Sequence, residues 1–460
     1  MTGGPVRIIP LGGLGEIGKN MTVVETERGA LVIDAGLAFP RDEHLGVDLV
    51  LPDISYLAER PGAVSAVVLT HAHEDHVGGL PYLLREVDVP KVYGTRLTLG
   101  LVASKLAEHK LQDRTELVEV RPEDGPFDAG PFRLELVRMA HSVPDNAGVV
   151  IEAEGYRILH TSDYKLDHTP VDGFKTDVGR LAELGNLGVD LMLGDSTNAE
   201  RPGYTGSERL VGEAFRQIIP LRKGRILVAS FASNVHRMQQ AIDVALECGR
   251  KVCIVGRSMR KNLNIARQLG YMDVPDSALV KPSDLENYAP HEVLVVCTGS
   301  QGEPLSALTR IAYHDHKDVS VERGDTVIIS AKPVPGNELR VHDTINALSR
   351  AGAEVLHQDI APVHVSGHGN SEEIRTVLAL VRPKAVMPVH GEYRMLEAQA
   401  RMARDARLAA RYRTAVPRGP RATRARCAID IVPLTCTTAS NSKPARITHS
   451  SAGCACNCAA

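Results

Sequence analysis

The 460-residue chain contains no tryptophan, 6 phenylalanines and 11 tyrosines. Such a small aromatic complement leaves little flat surface for stacking ligands. No apolar run reaches about 18 residues, so no membrane-spanning helix is expected. An excess of one charge sign is also missing: 53 basic and 56 acidic residues leave a net charge of −3. That excludes a global field that gathers polyanions, while a local basic groove stays compatible with balanced totals. Residues 1–9 lack a basic region followed by a long apolar stretch, so no secretory leader is expected and the expected location is cytoplasmic. Residues 11–20 are glycine-rich but lack the Lys-Ser/Thr ending of a phosphate-binding loop. Their glycines are read as permitting close backbone turns. Cysteine is sparse until the end: Cys248, Cys253 and Cys297 lie in apolar segments and read as buried free thiols, and the other five fall in the last 34 residues. What is left, 43% hydrophobic and 24% charged, is an ordinary soluble composition, long enough for two or three domains.

The informative stretch is Thr70-His71-Ala72-His73-Glu74-Asp75-His76-Val77-Gly78-Gly79. It follows an apolar run at 63–69 that reads as a buried strand, and it precedes a helical pattern at 77–85. Three histidines and a usable carboxylate therefore fall on a tight strand-to-helix loop, where side chains can converge. Imidazole and carboxylate are ligands that suit zinc or manganese.

Along the chain, 7–10, 21–25 and 30–34 read as strands, the last two paired. Asp34 closes an apolar strand, an expensive place for a carboxylate without partners. It can cap the turn before Gly36 or serve the histidine loop. Strands at 132–139 and 157–160 end in His141 and in Thr161-Ser162-Asp163. From 201 the texture changes to a regular alternation of strand- and helix-length segments, which implies a mainly parallel sheet with helices on both faces. After it come Val363-His364-Val365-Ser366-Gly367-His368 and a strand that ends in His390.

The motif His-x-His-x-Asp-His, with His141, Asp163 and His390 following in order, resembles the metallo-β-lactamase signature. An insert between the Asp163 and His390 strands resembles the β-CASP nucleases. Several phrases narrow this to the bacterial ribonuclease J family: Gly12-Gly13-Leu14-Gly15-Glu16-Ile17-Gly18-Lys19-Asn20, Asp195-Ser196-Thr197-Asn198-Ala199-Glu200, Phe231-Ala232-Ser233-Asn234-Val235-His236-Arg237, Pro335-Gly336-Asn337-Glu338, and 363–368 and 388–394. The resemblance implies an α/β fold: a metallo-β-lactamase αββα sandwich (1–200, resumed at 362–410) interrupted by a mainly parallel β-CASP domain (201–361). It implies two divalent ions, with zinc preferred over manganese. His71, His73 and His141 would hold one, and Asp75, His76 and His390 the other, with Asp163 bridging and Asp34 orienting a ligand histidine. Asp75, Asp195 and His368 would be the catalytic groups, the last two as a pair that steers or donates a proton to the leaving 3′-oxygen, or as a structural hydrogen bond. Ser233, Asn234, His364, Val365, Ser366, Gly367 and His368 would line a pocket for an RNA 5′-monophosphate. The implied activity is metal-dependent 5′→3′ exonucleolytic cleavage of RNA, with an endonuclease component. RNA is the implied partner, and the family forms homodimers or homotetramers. Alternatives are a DNA-directed nuclease of the same architecture, a small-molecule hydrolase with the same metal site, and a truncated, weakly active RNA-binding protein.

The end of the chain departs from the pattern. Residues 401–426 carry nine arginines and one acidic residue, and Cys454, Cys456 and Cys458 alternate rather than taking Cys-x-x-Cys spacing. A basic RNA-binding tail and a frameshifted tail both account for this, the second being preferred. The expectation is a disordered 411–460 without the family's C-terminal domain, and hence weaker dimerisation.

Overall fold

The computed structural model of the chain describes residues 4–40, 44 and 46–406, and the backbone of 429–431. Among these residues, two mixed sheets pack face to face. The first runs in the order Ile429–Ile431, Val6–Gly12, Met21–Thr26, Gly29–Ile33, Val64–Val68, Lys91–Gly94 and Glu116–Glu119. The second runs Val386–Val389, Leu191–Asp195, Tyr156–His160, Ala147–Ala153, Phe132–Arg138 and Phe127–Ala129.

Between the sheets lie Val24, Leu31, Ile33, Val68, Leu134, Leu136, Val149, Ile151, Ile158 and Leu193. The opposite faces are covered too. Val32, Val67 and Leu69 meet Leu83, Leu84, Leu99 and Leu106 of the helices Leu80–Glu86 and Arg96–Glu108. Val150, Leu159 and Met192 meet Leu181, Leu184, Val377 and Leu378 of Val178–Leu187 and Ser371–Val381. Covering on both faces explains why 64–68 and 386–389 read as continuous apolar runs rather than alternating ones. Each such side chain contributes about 1.5–3 kcal/mol of hydrophobic stabilisation. The result is the four-layer αββα sandwich.

A third sheet, Leu279–Val280, Lys251–Val255, Val293–Cys297, Ile226–Ala229, Thr326–Ile329 and Glu354–Leu356, is parallel throughout. Helices Arg209–Ile218, Val235–Glu247 and Arg257–Gln268 cover one face through Phe215, Met238, Ile242 and Leu263. Ala307–Ala312 and Glu338–Arg350 cover the other through Leu308, Ile311 and Leu348. The core of the first face continues through Ala72, Leu97, Val143 and Val363. The inserted sheet is thereby packed against the loops that carry the histidines.

Three local readings change. The helical pattern at 77–85 is two helices, Glu74–Val77 and Leu80–Glu86, parted at Gly78-Gly79. A Cβ at Gly78 would lie 2.5 Å from Leu37 Cγ, and one at Gly79 would lie 2.4 Å from the Gly36 carbonyl. The glycines thus let the loop sit against the 34–37 turn. The glycine-rich stretch is not wholly loop: Leu14–Gly15 pairs in parallel with Gly391–Glu392, and the Gly13 carbonyl accepts the His390 N–H at 2.7 Å. Ile429–Ile431 pairs in parallel with Val6–Gly12, inside the stretch expected to be disordered. The rest of that expectation lies outside the described residues.

Candidate metal centre

Each chemically interesting side chain sits at the carboxyl end of a strand, on one edge of the sandwich. Residues 71–76 follow Val64–Val68, His141 follows Phe132–Arg138, and Asp163 follows Tyr156–His160. Asp195 ends Leu191–Asp195, and His390 follows Val386–Val389. The backbone is forced here. Asp34, Asp145, Ser162 and His390 all have positive φ, four of the nine non-glycine residues that do among the described residues. Strain of this kind costs about 1–3 kcal/mol per residue and gathers at functional sites.

Three groups of possible ligand atoms result among the described residues, each with its atoms within 4.8 Å of one another: His71/His73/His141/Asp163, Asp75/His76/Asp163/His390 and Asp163/Asp195/His368/His390, the first two being those expected from the sequence. In the first, His73 Nδ1 lies 3.1 Å from His71 Nε2 and 3.2 Å from His141 Nε2. Three nitrogens bonded to one tetrahedral ion at about 2.0–2.1 Å would lie about 3.3–3.4 Å apart, so this trio fits a divalent ion. In the second, Asp163 Oδ2 is 3.2 Å from His76 Nε2, and Asp75 Oδ2 is 3.2 Å from His390 Nε2. The His390 Nε2 atom is buried without a geometrically formed hydrogen bond, although Asp75 Oδ2 lies near it. An orphaned buried nitrogen beside a carboxylate fits a shared cation. Asp163 Oδ2 also lies 3.8 Å from His71 Nε2 and 3.9 Å from His141 Nε2, so it faces both groups.

The rings are held from behind. Asp34 accepts the Thr70 N–H (2.8 Å) and O–H (2.9 Å), and its Oδ2 is 2.7 Å from His76 Nδ1. The Gly367 carbonyl is 2.8 Å from His141 Nδ1. Both contacts place the ring proton on Nδ1 and leave Nε2 as the ligand atom.

The electrostatics of the two groups differ. Burial, reinforced by neighbouring imidazoles, holds His71 and His141 well below the ordinary histidine value and brings His73 to about 4. These three are neutral near pH 7 and ready to bind. Burial also disfavours charge on His76 and His390, but Asp163 and Asp75 outweigh it; His76 rises well above its usual value and His390 to about 10. A metal entering the second group must therefore expel protons.

Beside these, His368 Nδ1 lies 2.8 Å from Asp195 Oδ2. The other oxygen of Asp195 accepts the Thr197 N–H (3.0 Å) and O–H (2.8 Å). Ser366 Oγ accepts the His368 N–H (3.1 Å) and an Asn198 Nδ2–H (2.9 Å), which leaves its own hydroxyl proton free to donate. His364 Nδ1 accepts from Arg237 Nη1 at 2.9 Å. Burial and that guanidinium hold His364 well below its usual value, so its proton sits on Nε2. Asn234 caps helix Val235–Glu247 through its Oδ1, which accepts the Arg237 N–H at 3.1 Å. The Val365 carbonyl is taken by Arg237 at 3.1 Å.

Comparison with known proteins agrees with this geometry. The "Metallo-beta-lactamase superfamily" model matches residues 14–229, "Ribonuclease J, beta-CASP domain" matches 223–348, and "Zn-dependent metallo-hydrolase RNA specificity domain" matches 352–415. Ribonuclease J2 of Bacillus subtilis is 44% identical over 401 residues, covering 87% of this chain and 72% of that protein. The chain belongs to the ribonuclease J family. Ribonuclease J of Thermus thermophilus is 46% identical over 401 residues, covering 85% of this chain and 70% of its own length. Ribonuclease J of Helicobacter pylori J99 is 45% identical over 388 residues, and the chain spans 56% of its length. A crystal structure of a protein of unknown function from Enterococcus faecalis shares the fold, with a TM-score of 0.61 at 16% identity, covering 85% of this chain and 95% of that one.

Within this ribonuclease J site, sequence reading left several contributors unassigned. Asn20 brings its amide nitrogen to 3.0 Å from His76 Nε2. Ser162 donates to Asn146 Oδ1 (2.7 Å), and Asn146 donates to the Asp163 carbonyl (2.6 Å). Arg237 is wholly buried, paired with Glu208 at 2.9 and 2.8 Å. Asn20, Asn198 and Arg237 lie in phrases already singled out, and polar residues amid such phrases were the usable signal. Gly367 has a further constraint: a Cβ there would lie 2.6 Å from His141 Cε1 and 2.7 Å from Nδ1. Gly367→Ala is expected to reduce metal content or affinity by about 10–100-fold, as loss of a ligand's support does. Metal titration of the purified variant checks this, and unchanged affinity would count against it.

Proposed function

We propose that the chain is a metal-dependent ribonuclease that removes nucleotides from the 5′ end of RNA, favours a 5′-monophosphate, and has some endonucleolytic capacity. The observation that carries this reading is the convergence of six candidate ligands on a seventh, Asp163, with the Asp195–His368 pair at their side. In this reading two divalent ions, zinc by preference, held by His71, His73 and His141 and by Asp75, His76 and His390, supply an activated water and neutralise phosphate charge.

The chain's own groups do the rest. Asp163 fixes the spacing of the two ligand sets. Burial disfavours charge on His368, but Asp195 and Asp163 outweigh it and raise its pKa. A protonated His368 can give its Nε2 proton to the leaving 3′-oxygen while Asp195 holds Nδ1–H. The Ser366 hydroxyl and the His364 Nε2–H are neutral donors, and with Ser233 they suit a terminal phosphate. A phosphate held at a fixed distance from the metal centre sets the step at one nucleotide. RNA in place of DNA requires a contact to the 2′-hydroxyl.

The test uses matched 3′-labelled RNAs with 5′-monophosphate and 5′-hydroxyl ends, and a DNA of the same sequence. Stepwise loss from the monophosphate RNA is expected, absent in His76→Ala. Ser366→Ala and His364→Ala are expected to erase the preference between the two ends. Unchanged relative rates would sink the phosphate-pocket assignment, and equal cleavage of DNA would sink the RNA assignment.

A further inference from the structure

A pocket of about 430 Å³ lies in the inserted domain, lined by Ile219, Pro220, Arg222, Lys223, Cys248, Arg250 and His291. Topology puts it far from the metal centre. Arg222 and Lys223 precede strand Ile226–Ala229, Arg250 precedes Lys251–Val255, and His291 precedes Val293–Cys297. These are the amino ends of a parallel sheet. Its carboxyl ends face the other way: Ser330, beyond Thr326–Ile329, donates to the Val363 carbonyl and accepts from Arg237 beside His364.

The lining is mainly cationic, and Arg222 is its one member with a carboxylate partner among the described residues. Arg250 is only 5% exposed. Its guanidinium donates to the carbonyls of Arg222, Gly224 (3.0 Å) and Val293 (3.3 Å), and it meets no carboxylate among the described residues. Buried cations are rarely left without an anion. Arg222 pairs with Glu354 through Nη1, but its buried Nε has no partner. Lys223 and His291 are exposed on the rim. The neighbouring Glu292 turns away to accept the Ala289 N–H at 2.8 Å. A cavity of this size admits a nucleotide, and the positive charge of Arg222, Lys223 and Arg250 in its lining suits a phosphate. No Phe, Tyr or Trp lines it, so recognition rests chiefly on phosphate.

We propose that this pocket is a second anion site, remote from the metal centre, that takes the phosphate group of a free nucleotide or of a nucleic-acid backbone. Cys248 supplies a reporter, because its half-buried thiol lies in the lining. The experiment measures iodoacetamide alkylation of Cys248 in the full chain by peptide mass mapping. Millimolar inorganic phosphate, 5′-AMP and a single-stranded oligoribonucleotide are compared with sodium chloride of equal ionic strength. A several-fold slowing of Cys248 alkylation is expected, lost in the double variant Lys223→Ala/His291→Ala. Both changes are at exposed positions, and an unchanged Tm verifies the fold. Protection by phosphate and 5′-AMP assigns the site to free nucleotides, and protection by the oligoribonucleotide alone assigns it to chain phosphate. No protection by any of the three, equal protection by chloride, or protection that persists in the double variant overturns the proposal.

Discussion

Asp163→Asn is expected to abolish RNA cleavage, with a loss beyond about 10³-fold, because the activated water and the charge neutralisation that two ions provide depend on both being held together. Asp163 is 2% exposed and is the one carboxylate shared by both ligand groups. Its charge is held strongly. Burial disfavours ionisation, yet His390, His76 and His368 together keep its pKa well below the usual carboxylate range. Asparagine keeps the shape and the Asn146 contact to the backbone carbonyl, so the fold is expected to survive. The amide cannot replace a shared anionic oxygen. Metal content by mass spectrometry is expected to drop from two ions to one or none, alongside the lost activity. Retention of two ions with near-normal cleavage would refute the bridging role.

The histidine loop was legible in the sequence because its information is local. Six residues after an apolar strand fix both the ligand types and their convergence. The third sheet was legible for a similar reason: strand and helix lengths alternate, and its central strands, such as Ile226–Ala229 and Val293–Cys297, are apolar on both faces. What was hidden is set by contacts distant in the chain. Nothing around Leu14 announces a pairing with Gly391, and both segments are too short and glycine-rich to show a strand pattern. Arg237 sits in a phrase singled out in the sequence, but nothing local announces that it is buried. Its burial is possible only because Glu208, Ser330 and the adjacent His364 and Val365, from three separate segments, take its donors. Asn234 carries a structural role that its phrase did not announce: its Oδ1 caps the following helix. The interruption at Gly78-Gly79 was hidden because the residues that forbid a side chain there, Leu37 and Gly36, lie on another turn.

The second large effect concerns proton transfer rather than metal binding. His368→Ala is expected to lower kcat by about 10²–10⁴-fold, the usual contribution of a positioned acid, while both ions remain. Asp195→Asn tests the same pair from behind. The Asp195 carboxylate is 2.8 Å from His368 Nδ1 and is the leading influence that raises the histidine's pKa against burial. An acid works while protonated, so activity falls as pH rises through its pKa. With the carboxylate neutralised, that pKa drops and the alkaline decline of kcat begins at lower pH than in the wild type. A purely structural Asp195–His368 bond predicts something else: reduced stability or metal content with an unshifted pH profile. Profiles of kcat from pH 6 to 10 for the wild type and Asp195→Asn, with metal content measured in parallel, separate the two. A displaced decline with metal content unchanged marks His368 as the group that gives the proton, because the Asp195 carboxylate sits behind its Nδ1.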